Sequence, residues 1–281
     1  MEPIPHHHHK QNRHNQRITP RSKREIKLRK NPTQNIKPTM DLKITAIVSL
    51  YNSGRWLHNR IHNLMSTTSY RKGELLIYCV NAQSPDPQDD QIANKFAGYT
   101  NFHYEILPQT CTVYAAWNHA IKKTDTKYLT NANADDITAP DAYDKLIHAI
   151  ESTDSILAYS DWLITSQENQ QWKPGEIIGN VEHLGHYNPE GGQLSCGHFP
   201  VWCRSLHEKV GYFDPNMKAL GDADLWFRAW KMGVRNFTYY GEPLGGYLWR
   251  SGQNLWHRVP DDSRAKEWTT LFSRQPVKLD F

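Results

Sequence analysis

Short apolar runs alternate with amphipathic stretches through the first half of the chain. The run LKITAIVSL at residues 42–50 predicts a buried β-strand, and the polar turn YNSGRW after it leads into a predicted helix over about residues 56–67. Strands alternating with helices predict an α/β fold with a mainly parallel sheet and right-handed crossovers. The further predicted strands are 74–80, 102–107 and 127–130, and the further predicted helices are 89–97 and 112–122.

Polar residues gather where three of these strands end. YNSGRW follows the first strand, NAQSPD (residues 81–86) the second, and NANADD (residues 131–136) the fourth. The carboxyl ends of parallel strands meet at one edge of a sheet, and open α/β sheets bind ligands there. The pattern therefore predicts a binding site at this edge.

The NANADD turn places two carboxylates, Asp135 and Asp136, side by side. Adjacent carboxylates raise each other's pKa and repel unless a cation or hydrogen-bond donors hold them, so a hard divalent metal is one explanation. The alternative is an Asx-rich turn that only introduces the next helix, predicted over residues 140–151 with Thr138 as its cap. The position of the turn after a strand favours a site.

After residue 151 the predicted elements are shorter and separated by a long polar loop, residues 166–193. The last predicted helix runs from Gly221 to Gly233, and the second glycine marks its C-terminal end. Asp222 lies in its first turn, where the helix dipole favours an anion. Asp224 stands four residues before Arg228 and is expected to pair with it. The other elements predicted here are a strand at 156–159, a strand at 199–204 and a helix at 205–210.

Composition limits the class of protein. With 281 residues and 38% apolar content, the chain can bury a substantial core. It contains no apolar run of about 18 residues and no secretory signal pattern at its start, so we expect no transmembrane segment. The four cysteines lack C-x-x-C spacing, which argues against structural zinc, and reduced thiols in a cytoplasmic protein are the default expectation.

The charge is concentrated in the first 40 residues. They carry ten Lys and Arg against two Asp and Glu, a net charge of +8, so the remaining residues carry −4. This segment is poor in apolar residues and is predicted to be a disordered basic tail. Its basic character leaves nucleic acid, an acidic lipid surface or no specific partner open.

Four fragments, in this order, resemble family 2 glycosyltransferases of the GT-A fold. They are ITAIVSLYNSGRWL, CVNAQSPD, TVYAAWNHAIKKTDTKYLTNANADDITAPDA and HEKVGYFDPNMKALGDADLWFRA, and the resemblance covers roughly residues 44–250. It implies transfer of a sugar from a nucleotide-diphosphate donor to an acceptor hydroxyl, with inversion at the anomeric carbon. It also implies a GT-A domain over residues 41–260, between the basic tail and a C-terminal extension at 261–281.

The resemblance assigns donor-binding residues. It implies that Ser49, Tyr51 and Asn52 line the nucleotide pocket, and that Asn81 stands where the family usually has an Asp that contacts the base. Asn118, on the 112–122 helix, is expected to orient the NANADD turn through hydrogen bonds.

The resemblance also assigns the metal site. Asn133, Ala134 and Asp135 fall on the family's D-x-D turn, which makes Asp135 the candidate ligand for Mg²⁺ or Mn²⁺ bridging the diphosphate. Asn81 and Asn133 replace acids, so we expect donor binding with an altered base preference and a weaker hold on the metal. His257 is a further candidate metal ligand, with packing or surface exposure as the alternative.

The family's catalytic base lies in an E-D-x-D-like stretch, which Gly221-Asp222-Ala223-Asp224 matches with Gly in place of Glu. Asp222 is therefore expected to accept the acceptor's proton, while Asp135 and its metal neutralise the leaving diphosphate. The alternative for Asp222 is a helix N-cap or a first-turn helix acid. Candidates for contact with sugar, each with a structural alternative, are Asp161, His198, Trp162, Trp172 and Trp202.

These observations predict an inverting, metal-assisted glycosyltransferase acting on a glycan, a lipid-linked acceptor or another hydroxyl. It is expected in the cytoplasm, with peripheral attachment to a membrane left open. Two rivals are a nucleotidyltransferase, which would need a Gly-rich phosphate loop, and a nucleotide-sugar or glycan-binding module without catalysis.

Overall fold

A computed structural model describes residues 41–173, 179–250 and 254–281. The predicted basic tail at 1–40 lies outside the described residues, as does part of the predicted 166–193 loop. Every helix within the described ranges is too short or too polar to span a lipid bilayer.

The first part of the chain forms regular strand and helix units, as predicted. Its helix starts carry the expected signals: Asp86 accepts a hydrogen bond from Gln88 N, and Thr112 accepts one from Ala115 N. The elements are β1 (Ile44–Leu50), α1 (Gly54–Met65), α2 (Thr68–Arg71), β2 (Leu75–Asn81), α3 (Pro87–Lys95), β3 (Phe102–Ile106), α4 (Val113–Lys123) and β4 (Tyr128–Asn131).

The second part of the chain matches the prediction less closely. Helices α6 and α7 lie where the pattern places them, whereas β9 and α9 fall in sequence that gives no clear prediction. The elements are β5 (Ile137–Thr138), α5 (Ala142–Thr153), β6 (Leu157–Thr165), β7 (Asn180–Glu182), a 3₁₀ turn (Pro189–Gly191), β8 (Val201–Cys203), α6 (Ser205–Val210), α7 (Gly221–Lys231), β9 (Phe237–Leu248), α8 (Leu255–Arg258) and α9 (Asp261–Ser273).

One sheet joins these strands in the order β3-β2-β1-β4-β8-β6-β9-β5, with β7 paired to β6. The strands β3, β2, β1 and β4 run parallel, and so do β6 and β9. Strand β8 runs antiparallel to both of its neighbours. The predicted α/β, GT-A-like architecture is confirmed, and the carboxyl ends of β1, β2 and β4 meet at one edge.

Apolar side chains cover both faces of this sheet. On one face, alternate β1 residues, including Ile44 and Val48, pack with Leu57 and Ile61 of α1. On the other face, Ile47 belongs to a cluster shared with α4, α6 and α7. Because side chains alternate along a strand, the single run of β1 supports both layers.

The prediction that Thr138 caps a helix beginning at Pro140 is wrong. Thr138 lies in β5, where it pairs with Gly245 of β9, and the helix starts at Ala142. The Thr138 hydroxyl accepts a hydrogen bond from Arg60 Nη1 (2.9 Å). Tertiary contacts therefore hold this threonine in a strand, although its sequence position suits a helix cap.

Candidate active site

Asp136 anchors the turn that follows β4. Its side chain is buried, and its two oxygens accept hydrogen bonds from Leu248 N (3.2 Å) and from Asn133 Nδ2 (3.0 Å). Burial and the neighbouring Asp135 raise the pKa of Asp136 to about 7. Asp136 thus ties the turn to β9 and leaves Asp135 as the more accessible carboxylate.

A buried cation, Arg60 of α1, lies close to this turn. Arg60 Nη1 donates to Asn63 Oδ1 (2.7 Å) and to Thr138 Oγ1 (2.9 Å), and its charge acts against the rise in the pKa of Asp136. Asn63 also accepts a hydrogen bond from Thr138 N (2.8 Å). Helix α1 therefore supplies both the positive charge and the amide that hold the residues just after the turn.

Asp135 forms an ion pair at the surface of the turn. Its Oδ2 lies 2.6 Å from Arg250 Nη2, and the guanidinium carbon of Arg250 lies 4.2 Å from the centre of the Trp56 ring. Arg250 follows the last strand of the sheet, in a stretch for which the sequence gives no prediction. A positive group therefore stands beside the acid that the resemblance assigns to the metal.

Two oxygens of this turn suit a hard cation. Among the described residues, neither Asp135 Oδ1 nor Asn133 Oδ1 takes part in a hydrogen bond, and carboxylate and amide oxygens are ligands of Mg²⁺ and Mn²⁺. No group of three His, Cys, Asp or Glu side chains that could hold a metal occurs within ranges 41–173, 179–250 and 254–281. Since Mg²⁺ commonly takes one or two protein carboxylates plus substrate phosphates, the turn fits a cation that shares the phosphates of a donor.

The predicted ligand His257 lies on the short helix α8. It is exposed, and its ring stands edge-on to Trp249 at 5.1 Å between centroids. This contact is the packing alternative described above, and a role as a metal ligand stays a prediction.

The loop after β1 rests on the loop after β2. Asn52 adopts a left-handed conformation (φ 56°), and its N–H donates to Ser84 Oγ (2.9 Å). Ser53 N contacts both oxygens of buried Asp89 at 3.1 Å. Tyr51, half exposed, is thereby presented at the carboxyl edge of the sheet.

Two of the predicted donor-binding amides are already engaged. Asn81 donates to Tyr104 OH (2.9 Å) and accepts from Ser84 N (2.7 Å), so it organises the loop after β2. Asn118 donates to Phe213 O (2.7 Å) and accepts from Phe213 N (3.1 Å). The structure therefore places the Asn118 amide on the segment between α6 and α7, and neither of these hydrogen bonds reaches the NANADD turn that Asn118 was expected to orient.

The remaining predicted donor-binding residues lie near the same edge. Ser49, partly buried in β1, pairs with Val80 of β2. Ala134 is buried between Asn133 and Asp135 in the turn. Their positions agree with the predicted pocket, and their contact with a donor stays a prediction.

Asp222 lies in the first turn of α7 and is partly exposed. Its Oδ1 accepts a hydrogen bond from Tyr114 OH (3.2 Å). Burial raises the pKa of Asp222, which makes its carboxylate a stronger proton acceptor. Gly221 is required beside it, because a Cβ there would stand 2.6 Å from the ring of Tyr114.

Topology places Asp222 and Asp135 at one edge of the sheet. Tyr114 lies in the first turn of α4, which follows the carboxyl end of β3, and it contacts Asp222. Asp135 follows the carboxyl end of the parallel strand β4. Both acids therefore lie towards the edge of the sheet that the sequence predicts as a site.

Asp224 has a structural role, as the spacing predicts. It is buried and pairs with Arg228 (2.8 Å) and also with Arg274 (3.0 Å) near the end of the chain. The predicted i,i+4 pair is confirmed, and the Arg274 contact is one that local sequence cannot indicate.

The tryptophans predicted as a sugar platform are mostly interior. Trp202 is fully buried, and its Nε1 donates to His207 Nε2 (2.9 Å), so a sugar contact for Trp202 is wrong. Trp162 is also buried, whereas Trp172 is partly exposed. A large aromatic ring on a strand of the central sheet tends to pack in the core, where it is not available to stack on a sugar.

Two other candidates for sugar contact have defined partners. His198 stacks on Tyr247 (3.8 Å between centroids), and burial lowers its pKa to about 4. Asp161 is fully buried and contacts Tyr239 OH (2.6 Å) and His183 Nδ1 (2.7 Å). Asp161 therefore joins the 183–184 loop to β6 and β9, which is the structural alternative given above.

Sequence comparison decides the family. Residues 45–211, more than half of the chain, match the sequence profile of the family described as glycosyl transferase family 2. The chain belongs to glycosyl transferase family 2. Among curated proteins, this family 2 chain is 22% identical over 209 residues to "Uncharacterized glycosyltransferase RP339" of Rickettsia prowazekii, covering 70% of the chain and 61% of that protein. A similar protein of Rickettsia typhi, RT0329, is 22% identical over 198 residues, covering 66% of the chain and 58% of that protein.

Solved structures share the fold of this family 2 chain. TarS of S. aureus (residues 1–349), solved with UDP-GlcNAc, has a TM-score of 0.63 at 15% identity, covering 78% of this chain and 62% of that one. The mannosyltransferase PcManGT of Pyrobaculum calidifontis, in complex with GDP-Man and Mn²⁺, has a TM-score of 0.59 at 14% identity, covering 84% and 64%. The chain thus spans about three fifths of the length of these relatives, and at these identities the structural likeness establishes the fold alone.

Proposed function

We propose that this family 2 chain transfers a sugar from a nucleotide-diphosphate sugar to an acceptor hydroxyl with inversion, assisted by a divalent cation. The observation that carries the proposal is Asp222, a carboxylate with a raised pKa at the sheet edge where the Asp135 turn also lies. Family membership and the nucleotide sugars bound to TarS and PcManGT support the donor class.

Asp222 is the proposed general base. As the acceptor oxygen attacks the anomeric carbon, the proton of its hydroxyl passes to the Asp222 carboxylate, and the bond from that carbon to the diphosphate oxygen breaks. A single displacement from the face opposite the leaving group inverts the anomeric centre. The hydrogen bond from Tyr114 and the packing of Gly221 hold the carboxylate in place for this transfer.

The charge on the leaving diphosphate is met at the Asp135 turn. Asp135 and Asn133 are the proposed protein ligands of Mg²⁺ or Mn²⁺, which would neutralise the departing phosphates when bound. Arg250, held by Asp135 and by the face of Trp56, adds a guanidinium whose planar fork suits phosphate oxygens. Half-exposed Tyr51 is the proposed surface against which the donor's base stacks.

A non-catalytic donor-binding module is the second candidate. It is favoured by the amides at Asn81 and Asn133, which replace acids of the family pattern, and by the engagement of Asn81 within its own loop. Such a module would bind a nucleotide sugar at the same edge and release no nucleotide. The acceptor of a catalytic protein is proposed to be a glycan, a lipid-linked saccharide or another hydroxyl compound.

Asp222→Asn tests the proposal. We expect nucleoside diphosphate release from UDP-GlcNAc or GDP-Man, measured with and without Mn²⁺, to fall about 10³-fold, because general bases commonly contribute 10²–10⁴. Calorimetry should find donor affinity unchanged, since the donor rests on other residues. Asp262→Asn, an exposed acid on α9, is the control.

Each outcome separates the candidates. Turnover retained in Asp222→Asn would remove Asp222 from the mechanism. A wild-type protein that binds these donors and releases no nucleotide in the presence of an acceptor panel would support the binding module.

A further inference from the structure

Glu267 lies in α9, beyond the residues that match the family profile, and it is buried. Its Oε1 accepts a hydrogen bond from Lys218 N (2.7 Å). Its Oε2 accepts from Ala219 N (3.0 Å) and from Leu220 N (2.9 Å). These three residues come directly before α7, the helix that carries Asp222.

Helix α7 has no cap of its own. The residue at its N-cap position, Leu220, has no side chain that could accept a hydrogen bond from the first turn. The carboxylate of Glu267 instead satisfies three successive N–H groups, and charge-assisted hydrogen bonds of this kind are stronger than neutral ones. One buried side chain from the C-terminal segment therefore fixes the path of the chain into α7.

The same C-terminal segment also contacts the first turn and the end of α7. Arg274 pairs with Asp224 of α7 (3.0 Å) and with Asp214 (2.5 Å). At the other end of the helix, Lys231 Nζ donates to Leu271 O (3.1 Å) and to Arg274 O (2.8 Å). The contacts at the start, the first turn and the end of α7 leave it little freedom to move against α9.

We propose that Glu267 is a positioning residue that fixes Asp222 for proton transfer; the proposal rests on the role of Asp222 proposed above. Tyr114 sets the lateral position of the carboxylate through its hydroxyl and its contact with Gly221, and Glu267 sets the position of the helix start. A displacement of about 1 Å at a reacting group can cost on the order of 10²-fold in rate, so a loosened helix start is enough to slow the reaction.

The charge of Glu267 affects the pKa of Asp222, and this effect can be measured. Asp222 accepts a hydrogen bond from Tyr114 of α4, and it interacts electrostatically with Tyr187 and Cys196 of the connection before β8 and with Glu267 of α9. Burial raises the pKa of Asp222 most, and the negative charge of Glu267 raises it further. Removing that charge should therefore lower the pKa of Asp222.

The experiment compares Glu267→Gln, Glu267→Asp and the exposed control Asp262→Asn in the full chain, with UDP-GlcNAc or GDP-Man and Mn²⁺ as probes. For the Gln variant we expect kcat to fall about 10-fold, donor affinity to stay within about 2-fold, and the acid limb of the pH–rate profile to move to lower pH. The Asp variant keeps the charge and should lose less kcat, with its acid limb in place.

Wild-type kcat and an unmoved acid limb in folded Glu267→Gln would overturn the proposal. If the Gln variant does not fold by circular dichroism, Glu267→Asp decides: a lower melting temperature with unchanged kcat would mean a purely structural residue. An inactive Asp222→Asn with an unaffected Glu267→Gln overturns only the role of Glu267. Turnover retained by Asp222→Asn overturns the proposed base itself.

Discussion

The N-terminal half of the described chain, residues 44–131, and the C-terminal half, residues 201–281, are held together in different ways. In the N-terminal half, parallel strands form a continuous ladder, and all seven residues of β2 are buried. Many apolar contacts, each of modest energy, stabilise this half. The buried polar side chains described in this half, such as Arg60 and Asp89, bond to neutral groups and form no ion pair within the described residues.

In the C-terminal half, buried ion pairs add to the apolar core. Arg228 is buried and donates to Val210 O (2.6 Å) and Tyr212 O (2.6 Å) as well as pairing with Asp224. Arg204, which is partly buried, donates to Thr126 O (2.7 Å) and Ile121 O (2.6 Å) and so joins this half to the N-terminal one. When one partner of a buried ion pair is removed, the other is left charged without compensation, so the cost is concentrated in single residues.

The largest expected effect is that of Arg228→Met. The substitution keeps much of the side-chain volume but leaves Asp224 short of a partner, and we expect a loss of about 3–5 kcal/mol in the free energy of unfolding. Urea unfolding followed by tryptophan fluorescence measures it, since Trp226 lies in the same core. Lys43→Met, which removes an exposed partner of Glu74 just before β1, is the control for the loss of a surface ion pair and should leave the midpoint almost unchanged. Equal midpoints for the two variants would contradict the contrast drawn here.

The next effect depends on pH and concerns His207. His207 is buried, its Nε2 accepts from Trp202 Nε1 (2.9 Å), and its Nδ1 faces Gly211 O (2.9 Å), so the neutral ring with hydrogen on Nδ1 fits both contacts. Burial lowers its pKa to about 4.

The direction of the pH effect follows from that value. A folded pKa below the unfolded value near 6.5 gives stability that is complete above pH 6.5 and is lost as the pH falls towards 4, by about 3 kcal/mol in all. His207→Gln cannot titrate and should flatten this acid loss in melting temperatures measured between pH 7.5 and 4.5. His148→Gln, at an exposed position on α5, is the control. An unchanged slope in the His207 variant would mean that acid destabilisation arises elsewhere, with His198 the next residue to test.

The same contrast explains which elements the sequence predicts. In the N-terminal half, apolar runs indicate the strands, and N-cap residues such as Asp86 and Thr112 indicate where helices begin. Strand β9 is hidden by Gly245 and Gly246, which read as turn residues. In the structure, their lack of a side chain lets neighbouring residues pack closely against the strand. A Cβ at Gly245 would stand 2.6 Å from the ring of Phe199, and one at Gly246 would stand 2.9 Å from Ile137. Contacts between elements distant in sequence explain these glycines, so a prediction from local propensity does not find the strand.

The candidate site divides in the same way. Asp135 and Asp222 follow from local pattern, because an acid after a strand and an acid in a first helical turn are visible in short windows. Arg250, Arg60 and Glu267 act across 115, 78 and up to 49 residues of chain, and no period or motif links them to their partners. Sequence reasoning therefore proposes the two candidate acids and misses the groups that contact them or the elements that carry them.

The smallest expected effect tests the seam between the halves, at Thr112. Its hydroxyl accepts from Ala115 N (3.2 Å), which caps α4, and donates to Pro215 O (2.8 Å) in the C-terminal half. Thr112→Ala should cost about 1–2 kcal/mol, since it removes a cap and one hydrogen bond. The matched control is Thr67→Ala, because the Thr67 hydroxyl also makes one cap contact and one bond to a carbonyl, both within the N-terminal half.

Thr112→Ser, which keeps the hydroxyl, should restore most of the loss in urea unfolding. The informative comparison is unfolding followed by two probes, one in each half. If the halves are joined at this seam, Thr112→Ala separates the two transitions by a few tenths molar urea, whereas Thr67→Ala lowers both together. Coincident transitions in both variants would mean that the other contacts between the halves, such as the β4–β8 ladder and the Asn118–Phe213 hydrogen bonds, couple them without the bond to Pro215.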